Sequence, residues 1–268
     1  MTTALIGFAI LLFLIVVVRI PIAFSMGIVG FFGFATMQGL TFDNMMDFRW
    51  TGALSMAAKR VIDTAQEYSL SVIPLFILMG NLVTKSGLSH ELYRASNAFL
   101  GHKKGGLSMA TVVACGGFSA ICGSSLATSA TMAKVAMPPM RKYGYSDELA
   151  TASIAAGGTL GILIPPSIML VIMADQLGLS VGDLFMGAVI PGLMLGGMYI
   201  VYILAVGFFK PEAAPIPDDA KPITMAAFMN VMKAVLPTLL LIFVVLGSIF
   251  AGIATPTEAS GVGAFGAT

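Results

Sequence analysis

Four stretches of this chain, 2–18, 20–42, 105–133 and 184–209, contain no Asp, Glu, Lys or Arg. A helix crossing the hydrocarbon layer needs about 20 mostly apolar residues, and these runs reach or approach that length. Only 10% of the 268 residues are charged, where a soluble domain carries roughly a quarter. No basic stripe marks a nucleic-acid partner. Cys115 and Cys122 sit in apolar surroundings without the paired spacing of a metal site. The fold class that follows is an all-α integral membrane protein with several passes. The first apolar run has no basic leader and no cleavage site after it, so it reads as a retained helix.

Along the chain, spans are expected at about 3–18, 22–38, 70–84, 149–174, 184–209 and 235–251. Between 43 and 67 the chain is too polar to span, and its amphipathic stretch 51–62 suggests a helix lying in the membrane interface. Residues 85–104 read as a basic loop and 210–223, with its prolines and acids, as an exposed one. The implied regions are 1–68 (scaffold helices and interfacial segment), 69–104 (third span and basic cytoplasmic loop) and 105–209 (transport-type region). The last two are 210–234 (loop and connecting helix) and 235–268.

Cytoplasmic flanks are enriched in Lys and Arg, and the densest basic stretches are 85–104 and 134–142. If both face the cytoplasm, the run between them enters and leaves on one side, as a re-entrant hairpin of two half-length helices. A single crossing would instead put a basic cluster on each side. With the hairpin adding no net crossing, five crossings precede 210–223, so a repeat starting near Val235 would be inverted, a recurring plan of secondary transporters. Pro21/Ser25 and Pro256/Ser260 share a Pro-x-x-x-Ser spacing after an apolar helix. On this reading the chain holds one full repeat and the start of a second, a piece of a longer protein.

Irregular backbone survives in a membrane only where protein, water or a ligand satisfies it, and two segments invite it. In the first, 117–131, Gly123 suits a helix end and Ser124 or Ser125 the next N-cap. The carbonyls of 119–122 would present a negative dipole end and the N–H groups of 126–128 a positive one. Ser119, Ser124, Ser125 and Thr128 add hydroxyls. A small-residue face for close helix packing is the alternative. In the second, 156–167, Pro165 and Pro166 cannot donate to the carbonyls of Gly161 and Ile162, and Pro165 pushes Ile164 out of helical geometry. Gly157, Gly158 and Gly161 would permit unwinding, leaving carbonyls beside the Thr159 hydroxyl as an oxygen cage for Na⁺. A plain proline kink is the alternative.

The runs GFSAICGSSLATSATM (117–132), GGTLGILIPPS (157–167), LFMGAVIPG (184–192) and TPTEA (255–259) resemble motifs of the large membrane subunit (M, or DctM-like) of TRAP transporters. IPLFILMG (73–80) and GGL (105–107) fit as well, in the same order. The resemblance implies an elevator-type permease with inverted repeats, a re-entrant helical hairpin and a Pro-Pro broken helix. It would use Na⁺ as coupling ion, with no organic cofactor, to import small organic anions such as C4-dicarboxylates into a bacterial cell across the inner membrane. Its implied partners are a small four-helix membrane subunit and a periplasmic solute-binding protein. By motif position, the Na⁺ sites fall on Ser119, Gly123, Ser124, Ser125, Gly158, Thr159, Gly161 and Pro165. Substrate contacts fall on Ser125, Thr128, Pro166 and Ser167. Many relatives carry Asp at the position of Thr128.

An intramembrane enzyme would need a nucleophile with a base or metal ligands. The segments 105–133 and 150–174 contain no His, Asp or Glu, which speaks against one. Glu258, after Thr-Pro-Thr, reads as a helix cap. His90 and His102 belong to the basic stretch and read as interfacial.

Overall fold

The computed structural model describes residues 2–37, 50–217 and 225–268. Among these, only helices, turns and irregular segments occur. The chain divides into two compact units, 1–67 and 68–268. The expected exposed loop at 210–223 is described only as far as Pro217, and Arg49 lies outside the described residues.

In the first unit, α1 (Thr2–Val16) and α2 (Ile22–Met37) pack against each other, and α3 (Trp50–Gln66) packs on α2. Apolar side chains of α1 and α2, among them Leu5, Phe8 and Phe24, are exposed. The amphipathic segment expected at 51–62 is α3, one helix carrying Lys59, Arg60 and Asp63.

The second unit is built around α6 (Gly106–Cys122), whose residues are buried along nearly its whole length. Before it come α4 (Val72–Lys85) and α5 (Leu88–Leu100), bent by 68° at Gly87, whose φ of 82° suits glycine. The basic stretch 85–104, expected as a loop, is therefore mostly helix. Its Ser89, Leu92, Tyr93 and Ser96 form a buried face, while Glu91 and Arg94 pair at 3.2 Å on the exposed one. The high charge density masked an amphipathic helix.

From Ser125 to Lys142 runs α7, antiparallel to α6. The base of this pair is closed where the Leu107 N–H donates to the Tyr145 hydroxyl at 3.3 Å, among buried Leu107, Met140 and Tyr145. The hairpin thus enters and leaves at one end of the unit. Its helices have 17 and 18 residues, longer than the half-length pieces expected, because α7 continues through Pro138-Pro139 to Lys142.

Next, α8 (Asp147–Leu163) and α9 (Ile168–Leu177) form one interrupted apolar rod of 31 residues, and α10 (Val181–Phe209) a continuous one of 29. At 1.5 Å per residue each exceeds the roughly 30 Å of bilayer hydrocarbon. Large apolar side chains on α10 such as Leu193, Met198 and Phe208 are exposed, a surface that water would penalise and lipid accepts. The chain is membrane-embedded. A short strap after α10 returns to the hairpin base, where Gly105 N–H donates to the Ala214 carbonyl (3.3 Å) and Ser146 N–H to that of Ala213 (3.2 Å).

Helix α11 (Met225–Phe250) starts ten residues before the span expected at 235–251, because the residues ahead of Val235 continue the helix. Then α12 (Pro256–Gly266) opens with a capping box: Thr255 accepts the Glu258 N–H, and the Glu258 carboxylate accepts the Thr255 N–H at 2.8 Å. Glu258 is a cap, as its position suggested. Helix α12 lies against α4 and α11, with Gly263 so close that a Cβ there would come within 2.6 Å of Met79 Sδ and 2.7 Å of Val245 Cγ2.

Candidate functional site

Helices α6 and α8 end, and α7 and α9 begin, at one junction in the second unit. The hairpin turn is Gly123-Ser124. Gly123 takes φ 62°, a left-handed conformation that closes α6, and its N–H donates to the Ser119 carbonyl at 3.0 Å. Ser124 is extended and is the N-cap, its hydroxyl accepting the Ala127 N–H at 3.4 Å. Two groups expected to be free are thus used by the turn: the Ser119 carbonyl, and the Ala127 N–H. The Thr128 N–H likewise goes to the Ser124 carbonyl, at 3.0 Å.

The broken helix departs as the prolines require. Ile164 is extended (φ −79°, ψ 118°), and α9 restarts behind Ser167, whose hydroxyl accepts the Leu170 N–H at 3.4 Å. Neither Pro165 nor Pro166 can donate to the carbonyls of Gly161 and Ile162. The glycines, however, do not unwind α8, which is helical through Gly157, Gly158 and Gly161. They let the hairpin approach. A Cβ at Gly157 would lie 2.8 Å from Cys115 Sγ, and one at Gly158 would overlap Ser129 Oγ. At Gly161 it would lie 3.0 Å from both the carbonyl carbon of Ser124 and the N of Ser125. The unwinding expected of these three residues is therefore replaced by close packing, and the break itself is confined to 164–167.

Two further contacts lock the tip. Gly123 faces the break, since a Cβ on it would come within 2.5 Å of the Pro166 carbonyl oxygen, and the Gly123 carbonyl accepts the Ile168 N–H at 3.2 Å. From the other side Gly80 of α4 meets Cys122, with only 3.1 Å between a Cβ there and Cys122 Cα. Four helix ends, two with positive and two with negative dipole ends, are thereby held within a few ångströms.

The expected site residues divide into three groups. Gly123, Ser124, Gly161, Pro165, Pro166 and Ser167 belong to the tip–break junction. Ser125 and Thr159 share the wall of a cavity of about 570 Å³ between α7 and α8, with Ser129 and Thr151. Gly158 underlies the same wall through its contact with Ser129 and Ser125. Ser119 and Thr128 are fully buried, and their hydroxyls have no hydrogen-bond partner. A buried hydroxyl without a partner costs free energy, so these two atoms, on the helices flanking the turn, fit the approach of a ligand.

Sequence reading missed Ser129, Gly80 and Tyr199. Ser129 lies one turn after Ser125 on α7, a spacing that could have found it. Gly80 stands in the 73–80 motif but carries no mark of its role. The Tyr199 hydroxyl lies 3.1 Å from Thr159 Oγ1, which also donates to the Ala156 carbonyl at 2.6 Å. That contact joins residues 40 apart, and no local pattern signals it. The arrangement offers neutral oxygens and oriented helix ends. Among the described residues, no group of His, Cys, Asp and Glu could hold a metal ion of the kind those ligands bind.

Comparison with known proteins agrees with the motif resemblance. Residues 9–268 match the family described as tripartite ATP-independent periplasmic transporter, DctM component. The chain is 38% identical over 207 residues to the C4-dicarboxylate TRAP transporter large permease protein DctM of Pseudomonas aeruginosa, covering 77% of this chain and 47% of the relative. It is 35% identical over 264 residues to the protein of the same name in Vibrio cholerae, covering 95% and 53%. It is 31% identical over 252 residues to the isethionate TRAP transporter permease protein DctMQ of Oleidesulfovibrio alaskensis, covering 94% and 37%. The chain spans about half the length of the DctM relatives. Since the family match runs through nearly all of the sequence and takes in both the hairpin and the broken helix, the chain belongs to the DctM component family of TRAP transporters.

Proposed function

We propose that this chain is half of the transport machinery of a Na⁺-coupled permease that imports small organic anions across a bacterial inner membrane. The observation that carries this reading is the junction itself. It contains two carbonyls, of Gly161 and Ile162, whose helical donors are replaced by prolines, and on the helices flanking its turn are two buried hydroxyls without partners, Ser119 and Thr128. Hard neutral oxygens beside helix C-termini suit a small hard cation, and helix N-termini suit an anion. Na⁺ is here a transported ion, held by Ser119, Gly123, Ser124, Ser125, Gly158, Thr159, Gly161 and Pro165 through hydroxyl or main-chain oxygens. Gly158 acts by letting those oxygens come together, and Gly161 does so while also offering its own carbonyl.

The anion binds from the cavity at Ser125, with Thr128 buried behind that wall and Pro166 and Ser167 at the adjoining tip–break junction. Relatives named for C4-dicarboxylates and for isethionate support a small organic anion as cargo. A periplasmic solute-binding protein delivers it, and a small four-helix subunit braces the permease. The second unit, with its hairpin and broken helix, moves as the elevator, and an inverted second repeat beginning in α11 completes the site.

Uptake into vesicles containing the full-length permease and its small subunit tests this. We expect transport only with Na⁺ in the medium and the binding protein present. Equal uptake after replacing Na⁺ with K⁺ would remove the coupling ion. Na⁺-driven uptake without any binding protein would instead favour an ion-coupled anion transporter of the same hairpin plan that works alone.

A further inference from the structure

Helices α8 and α10 leave a groove between them, with Val112 of α6 in its wall. Its deep part is bordered on α8 by the small side chains of Ala152, Ser153 and Ala156, with Leu149 nearer the mouth, opposite Met198, Tyr199 and Tyr202 of α10. The deep part holds about 340 Å³ and is almost wholly apolar. It continues past Leu149, Ala152 and Tyr202 into a mouth of about 440 Å³ that ends at Glu148 and Lys210. Next door, Asp147 is paired with Arg141 at 2.8 Å. Among the described residues, Glu148 and Lys210 make no ion pair with each other or with any other side chain. An apolar channel therefore opens at one free cation and one free anion.

We propose that this groove holds one acyl chain of a zwitterionic, amine-bearing phospholipid, with its phosphate at Lys210 and its ammonium group at Glu148. The dimensions agree. From Leu195 to Lys210 the wall of α10 runs about 22 Å at 1.5 Å per residue, and half a bilayer with its headgroup layer measures about 20–22 Å. A lysine at such a mouth can lay its stem along apolar surface while keeping its charge at the headgroup level. A helix as occupant fits less well. With side chains it is about 10–12 Å wide, whereas α8 and α10 touch along the groove floor, at Thr159–Tyr199 (3.1 Å) and at Gly196, where a Cβ would lie 3.7 Å from Leu160. A helix would also have to bring both countercharges itself.

The test is lipid retention. The permease is reconstituted into vesicles of equal parts phosphatidylethanolamine and phosphatidylglycerol, re-extracted in mild detergent, and its retained lipid measured by mass spectrometry. We expect phosphatidylethanolamine to be retained in preference, Lys210→Ala to lower it about fivefold, and Glu148→Gln to abolish the preference over phosphatidylglycerol. Ala156→Leu, which fills the groove, should lower retention of both. Equal retention of the two lipids by the unaltered protein, or full retention by the Lys210→Ala/Ala156→Leu double variant, would overturn the proposal. If a variant fails to fold, a photo-crosslinking residue replacing Tyr202 keeps the question answerable. Crosslinks to phosphatidylethanolamine support the groove as a lipid site, and crosslinks to a protein subunit refute it.

Discussion

Replacing Gly161 with alanine drives a methyl group into the hairpin tip. The new Cβ would lie 3.0 Å from the Ser124 carbonyl carbon and 3.0 Å from the Ser125 nitrogen. Both are main-chain atoms, so no side-chain rotation relieves the contact. Overpacking of this kind costs about 1–3 kcal/mol, and the rigid neighbours place it in the upper part of that range. Alanine returns up to about 1 kcal/mol through its better helix propensity, leaving a net of about 1–2 kcal/mol. If the strain is taken up by the tip moving off α8, it appears in ion binding, where 1.4 kcal/mol is tenfold. The Na⁺ concentration for half-maximal uptake by the full-length permease should then rise about 5- to 30-fold. Gly197→Ala is the control: nothing lies within 4 Å of a Cβ there, so Na⁺ dependence should not change. Identical Na⁺ dependence in the two variants would refute the claim that α8 and the hairpin tip form one binding unit.

Three further substitutions separate the roles of individual groups. Thr128→Val keeps the shape and removes a buried hydroxyl that has no partner. Melting in the absence of ligand should show equal or greater stability, by up to about 1 kcal/mol, with a smaller stabilisation on adding a C4-dicarboxylate. Tyr199→Phe releases the Thr159 hydroxyl and should cost about 0.5–1.5 kcal/mol, read as a lower melting temperature with a weakened Na⁺ response. Ser167→Ala removes the N-cap of α9 and should cost about 1 kcal/mol of stability, whereas Ser167→Gly, which fits the same buried space, should cost only about a few tenths of a kcal/mol.

Much of this architecture was legible in the sequence because each signal was local. Gly123 and Ser124 mark a helix stop and start by their own conformational preferences, and the structure uses each that way. Pro165-Pro166 break a helix because they lack the N–H it needs, and Ile164 turns extended as a residue before proline does. Thr255 and Glu258 form the capping box that their spacing announces. What escaped depended on neighbours distant in sequence. Glycine reads equally as an unwinding point and as a site of close approach, and only the hairpin on α8 decides for Gly157, Gly158 and Gly161. The charged stretch 85–104 looked like a loop until burial of Leu92 and Tyr93 against α6 showed its second face. The pairing of Thr159 with Tyr199 requires knowing that α8 and α10 are neighbours.

The central claim is that the junction of hairpin tip and broken helix binds Na⁺. Its most direct test is the melting temperature of the purified full-length permease, titrated with NaCl against KCl at constant ionic strength. A specific site at 100 times its dissociation constant adds about 2.7 kcal/mol. At about 2–4 °C per kcal/mol for 150–250 residues and less for the longer full-length permease, we expect a saturable, Na⁺-specific rise of about 3–5 °C that Ser124→Ala combined with Thr159→Ala largely removes. An equal rise with K⁺, or a Na⁺ response unchanged in that double variant, would contradict it.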